Sequence, residues 1–128
     1  MSDQVVRVLV VDDQAPFRVA ARAVVRATAG FEVVGEAKSG EEAVEAASEV
    51  SPDLVLMDIN MEGIGGIEAT RRITEQHPEV RVVLLSTYDA EDLPDDARHC
   101  GAAAYVHKEE FGPDVLEKVW RDEDGLGL

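Results

Sequence analysis

A chain of 128 residues, 45% hydrophobic and 30% charged, has the size and balance of one globular domain that buries its own core without disulfides or metal staples. Its formal net charge of −15 repels polyphosphate backbones and argues against direct nucleic-acid binding. No apolar stretch approaches the roughly 20 residues of a membrane span, and the expectation is a cytoplasmic domain that works away from the membrane.

The N-terminus, MSDQVVRVLVV, lacks the basic start and cleavage site of a signal peptide. Residues 5–11 within it are the first of five short apolar runs. The next stretch, residues 14–29, carries Phe17, Ala21, Val24 and Thr28 at helical spacing, and Pro16 is tolerated in a first turn. A second apolar run, residues 31–37, leads to a helical stretch over residues 40–50. Ser39 and Glu42 fit a capping box at its start, and Ser51-Pro52 stops it. Residues 54–57 form the third run. A helix over residues 67–76 follows and is stopped by His77-Pro78.

The fourth run covers residues 80–85. The polar stretch AEDLPDDARHC comes next, and Pro94-Asp95-Asp96 in it resembles a helix start. A short, late helix over residues 93–99 is expected. Cys100, the single cysteine, cannot close an internal disulfide, and nothing near it suggests a metal site or an activated nucleophile. Residues 102–106 are the fifth run, and Pro113 opens a last helix over residues 113–120. The tail RDEDGLGL is polar and glycine-containing and is expected to fray. One domain over residues 1–121 is expected, with 122–128 as tail and no DNA-binding segment.

Val, Leu and Ile fill the first, third and fourth runs almost continuously, as in strands covered on both faces. Strand and helix alternate five times. This predicts an α/β fold, a doubly wound five-stranded parallel sheet in a three-layer sandwich with right-handed crossovers. In such sheets functional groups gather at the carboxyl ends of the strands. There the sequence puts Asp12 and Asp13, Asp58, Ser86 and Thr87, and His107 and Lys108.

Each has an ordinary reading alone: an aspartate caps the next helix, a lysine is solvated, a serine sits in a turn. Their coincidence at one edge is what those readings leave unexplained. Three carboxylates within about 4–6 Å repel one another and raise their own pKa values, so the cluster calls for a cation. On that ground neutralising Asp13 is expected to raise stability without metal. All-oxygen ligation with room for water and phosphate oxygens suits Mg²⁺. Lys108 offers a mobile positive charge for Asp58 or a phosphate, and Ser86 a hydroxyl donor. Asp58, ending the central run, is the best candidate nucleophile for an aspartyl phosphate.

With these residues in view, the sequence resembles the receiver domains of bacterial two-component response regulators, nearest the NarL/FixJ type. The matching stretches are VLVVDDQAPFR, VVGEAKSGEEAVE, PDLVLMDINMEGIGGIEATRRI, VVLLSTYDAED and GAAAYVHKE. The resemblance implies a flavodoxin-like strand order of 2-1-3-4-5. It implies Asp58 as phosphoacceptor from a sensor histidine kinase, and Mg²⁺ held by Asp13, Asp58 and the Asn60 backbone carbonyl, with Asp12 in the outer acidic pocket. Lys108 would pair with the phosphoryl group. Ser86 and Tyr105 would be the switch residues, and Asn60, Thr87 and Tyr88 would tune the phosphoryl lifetime. A homodimer would form through the face of the fourth helix, fifth strand and fifth helix, or through the first and fifth helices.

The chain departs from the family pattern at three places. Glu62 stands where proline is usual, Glu109 replaces the proline that often follows the lysine, and Asp95 and Arg98 occupy usually apolar positions. Two other classes stay open. A docking module outside phosphorylation control keeps the fold, and measurable Mg²⁺ affinity that disappears in Asp13→Ala discriminates against it. A phosphatase or flavin carrier shares the architecture. The Asp58-Ile59-Asn60 triplet lacks the second acid of the haloacid-dehalogenase type, and DDQAPFR offers carboxylates where a flavin phosphate needs a cradle.

Overall fold

The computed structural model describes residues 5–121. The elements in chain order are β1 (Val6–Val11), α1 (Ala15–Ala27), β2 (Phe31–Ala37), α2 (Gly40–Val50), β3 (Leu54–Asp58), α3 (Gly65–Gln76), β4 (Arg81–Ser86), β5 (Ala104–His107) and α4 (Pro113–Arg121). Short 3-10 turns cover Ala90–Asp92, Asp95–Arg98 and Lys108–Glu110. The strands pair in parallel in the order β2-β1-β3-β4-β5, as the resemblance implies. The expectation of a fraying tail over 122–128 lies outside the described residues.

The continuous apolar runs resolve into two alternating sets, because successive strand side chains point to opposite faces. Leu9, Val11, Val55, Met57, Val82 and Leu84 face α2, α3 and the segment carrying Leu93 and Ala97. Val8, Val10, Leu54, Leu56, Val83 and Leu85 face α1 and α4, where Ala21, Val25, Leu116 and Val119 close the second core. Every residue of β3 is buried, so the central strand is rigidly held and its last residue is fixed in place.

The start of α2 follows its sequence signature. The Ser39 hydroxyl accepts the Glu42 N–H at 3.1 Å, and the Glu42 carboxylate accepts the Lys38 N–H at 3.0 Å. Ser39→Ala is expected to cost about 1 kcal/mol in urea denaturation. An unchanged midpoint would show that the cap is redundant.

The expected helix over residues 93–99 is not α-helical. Pro94 supplies no N–H and Gly101 turns away with φ +98°, so few residues lie between the two breakers. That stretch is too short to repay helix nucleation, and it closes on i to i+3 bonds, Ala97 N–H to Pro94 and His99 N–H to Asp96. Leu93, Ala97 and Cys100 still bury their side chains beneath it. α2 keeps its expected limits, while α1 spans Ala15–Ala27 and α3 begins two residues early, at Gly65.

Candidate functional site

Strand register brings the polar strand ends together. Val11 lies beside Met57, one residue short of Asp12 and Asp58. Asp58 lies beside Leu85, and Ser86 beside His107, one residue short of Lys108. Carboxylate oxygens of Asp12, Asp13 and Asp58 all lie within 4.8 Å of one another. The three acids differ in their surroundings. Asp12 is fully buried, Asp58 is 4% exposed and Asp13 is exposed at the rim.

Asp12 is held on both oxygens: Oδ1 accepts the Gln14 N–H at 2.8 Å and Oδ2 accepts from Lys108 Nζ at 2.7 Å. Arg18 adds a bond of 2.8 Å to the Asp12 backbone carbonyl. Asp58 Oδ1 lies 3.3 Å from the same Lys108 ammonium. Lysine 108 therefore bridges the two buried acids, and Asp12 is its nearer partner. The residues alone point to Asp58 as the partner of Lys108, and the resemblance implies Asp12 in the outer pocket. A single ammonium serves both because Asp12 is the acid with no solvent of its own.

Burial, and after it the negative charge of Asp12, push the Asp58 carboxyl from 3.8 to about 6, against the opposing pull of Lys108 and the Asn60 N–H. Asp12 is thus a like charge that Asp58 feels across the buried pocket. Burial pulls the Lys108 ammonium down, but its hydrogen bond to Asp12 and the charges of both acids outweigh this and leave it raised. Lys108 also opens a 3-10 turn in which the Glu109 N–H donates to His107 Nδ1 at 3.1 Å. A proline at 109 has no such proton, so this chain fixes the turn after the lysine by another bond.

Asp13 lines a cleft of about 350 Å³ with Ile59, Asn60, Met61 and Glu62. Asn60 and Glu62 are exposed on its rim. Three carboxylates converging beside an open cleft are the donor set of a hard divalent cation that keeps water ligands. Buried Ser86 accepts the Tyr88 N–H at 2.9 Å. The Tyr105 hydroxyl donates to the backbone carbonyl of Tyr88, which ties β5 to the loop after Ser86. Burial pushes the Tyr105 phenol up, with the nearby Ser86 hydroxyl opposing it. Thr87 and Tyr88 are exposed at the mouth.

Gly66 is a functional position that the sequence reading does not single out. A Cβ built on it would lie 1.9 Å from the Asp58 carbonyl oxygen, so only glycine lets α3 start against the backbone of Asp58. The Gly65-Gly66 pair ahead of the helical pattern was the available signal.

Among the described residues no helix is long and apolar enough to cross a membrane. Residues 8–120 match the model of the response regulator receiver domain family. The response regulator GacA of Pseudomonas viridiflava is 43% identical over 103 residues, covering 80% of this chain and 48% of that protein. The response regulator UvrY of Escherichia coli is 37% identical over 114 residues, covering 89% and 52% respectively. The crystal structure of the response regulator domain of Thermotoga maritima CheB superposes with a TM-score of 0.83 at 33% identity, covering 94% of this chain and 98% of that one. The chain spans about half the length of the curated relatives it matches. On the fold, the acidic pocket and these matches, the chain belongs to the response regulator receiver domains of two-component systems.

Proposed function

We propose that Asp58 accepts a phosphoryl group from the phosphohistidine of a sensor histidine kinase. The observation that carries this reading is a buried carboxylate at the end of a rigid central strand, facing two further acids and a lysine. In the transfer an Asp58 carboxylate oxygen forms a bond to phosphorus while the phosphorus–nitrogen bond breaks, and the leaving imidazole takes up a proton. Asp13, Asp58 and the Asn60 carbonyl would hold Mg²⁺, with Asp12 behind them. The metal, when bound, supplies positive charge against the phosphoryl oxygens.

This chain's own residues do the rest. Lys108 is already poised 3.3 Å from Asp58 and turns to the added phosphoryl oxygens. Ser86 donates its hydroxyl proton to the same group. Its movement loosens the link through Tyr88 to Tyr105, and Tyr105 turns inward, biasing a two-state surface. Asn60, Thr87, Tyr88 and Glu62 stand where they can govern how water reaches the phosphoryl group. The residues on that surface are those of the Asp95–Arg98 turn, β5 and α4. A homodimer through this face, or through α1 and α4, is the partner reading that accompanies it. We assign the receiver to residues 1–121 and its setting to the cytoplasm. The acidic chain leaves nucleic-acid contact to other proteins or segments.

A small acyl phosphate with Mg²⁺, followed by intact-mass detection, is expected to give one phosphoryl adduct that is absent in Asp58→Ala. No Mg²⁺-dependent adduct would sink the assignment and favour the docking-module reading, and an adduct that survives this substitution would sink it by placing the acceptor elsewhere. Tyr88 and Tyr105 are the fluorescence reporters for metal titration. Trp120 stacks on Arg81, at the far end of β4 from Ser86.

A further inference from the structure

The bridging lysine has a third neighbour. Lys108 Nζ lies 4.5 Å from the centroid of the Phe17 ring. We propose that Phe17 is a positioning residue for Lys108, its ring face holding the ammonium where it reaches both Asp12 and Asp58. The catalytic part of this proposal rests on the reading of Asp58 as phosphoacceptor.

Lysine is a point charge on a flexible four-carbon stem, so two carboxylate contacts alone leave its path to Asp58 loosely defined. An aromatic face attracts a cation through its quadrupole, most strongly where water is thin. Here the Lys108 side chain is 14% exposed, and Phe17 is half-buried against the core beneath α1. The ring is also well held. Pro16 fixes the first turn of α1, the Asp12 carboxylate accepts the Gln14 N–H, and Arg18 grips the Asp12 carbonyl. The passage from the end of β1 into the first turn of α1 therefore presents both Asp12 and Phe17 to the lysine.

The division of labour follows from the chemistry. Asp12, closest and fully buried, draws the ammonium inward. A phosphoryl group on Asp58 would draw it outward. The ring is neutral and attracts over an area rather than at one point, so the lysine can pass from one anion to the other without losing its support. Simple packing would need an apolar shape at position 17 but not the electrons of an aromatic ring.

Successive fluorination of the Phe17 ring separates these roles, because it drains the quadrupole while nearly preserving shape. The initial rate of Mg²⁺-dependent phosphorylation by a small acyl phosphate is expected to fall stepwise along the series, by roughly three- to tenfold in total. Phe17→Trp is expected to match or exceed the parent. Phe17→Leu is expected to fall with the most fluorinated ring, and melting temperatures should stay level across the fluorinated set. In metal-free protein the Lys108 ε-protons should show an upfield ring-current shift that disappears in Phe17→Leu. A rate that is flat across the fluorinated series overturns the proposal, as do unshifted ε-protons in the parent. If the parent takes up no phosphoryl group, the reading of Asp58 fails, and the ε-proton shift alone then decides the Phe17 contact.

Discussion

Gly66→Ala is expected to destabilise the domain by about 4 kcal/mol, and to displace the carboxylate on which the site depends. The added Cβ would lie 1.9 Å from the Asp58 carbonyl oxygen, 2.9 Å from its carbonyl carbon and 3.0 Å from the Ile59 Cα. All three are backbone atoms, so no rotamer change relieves the overlap. Either α3 withdraws from the sheet, or the end of β3 bends. Withdrawal strains the Gly66 N–H bond to the Ile59 carbonyl, now 3.1 Å. Bending moves Asp58 away from Lys108. Guanidinium denaturation measures the first effect and phosphoryl uptake the second. A variant within about 1 kcal/mol of the parent would show that α3 has slack at its first turn.

Asp58→Asn is expected to act in the opposite direction, raising stability without metal by about 2–3 kcal/mol at neutral pH. The folded-state pKa of Asp58, about 6, lies above its ordinary value of 3.8. Between those values the folded chain binds more protons than the unfolded chain, so stability falls as pH rises from about 4 to about 6. Above that window the whole penalty is present, and below it none. Asparagine carries no charge to bury beside Asp12, so its contribution to the profile should be flat. Urea midpoints measured in chelator from pH 4 to 8 should nearly coincide at the acid end and separate as pH rises. Parallel curves would refute the burial and like-charge account of the site. Added Mg²⁺ should narrow the gap at pH 7, since an ion bound only to the folded parent stabilises it by mass action.

Much of the site was legible in advance because it rests on local features. The capping box at Ser39 and Glu42 marked the start of α2, and the fully apolar run before Asp58 marked a central strand with a polar end. Pro94-Asp95-Asp96 carries a real helix-start signal, which is why the sequence predicts an α-helix over 93–99 that the structure does not form. The signal says nothing of how soon Gly101 ends the turn, or that Leu93, Ala97 and Cys100 can reach the core without an α-helix. The role of Gly66 was hidden for a different reason. Its cause is the backbone of β3, and close approach between two elements leaves no periodic trace in either.

By itself the sequence determined the alternation of strands and helices outside the 93–99 segment, the two-sided burial of the sheet and the set of polar residues at its carboxyl edge. These follow from side-chain periodicity and from where each apolar run stops, both properties of short segments. Tertiary structure alone decided which of those residues meet and how closely. Lys108 bonds to Asp12 across 96 residues of chain, at 2.7 Å, with Asp58 at 3.3 Å and the Phe17 ring beneath. The ranking of those partners depends on differences of a few tenths of an ångström in how α1, β3 and β5 pack. Spacing along a chain assigns residues to an edge, but only close packing fixes the distances on which their charges act.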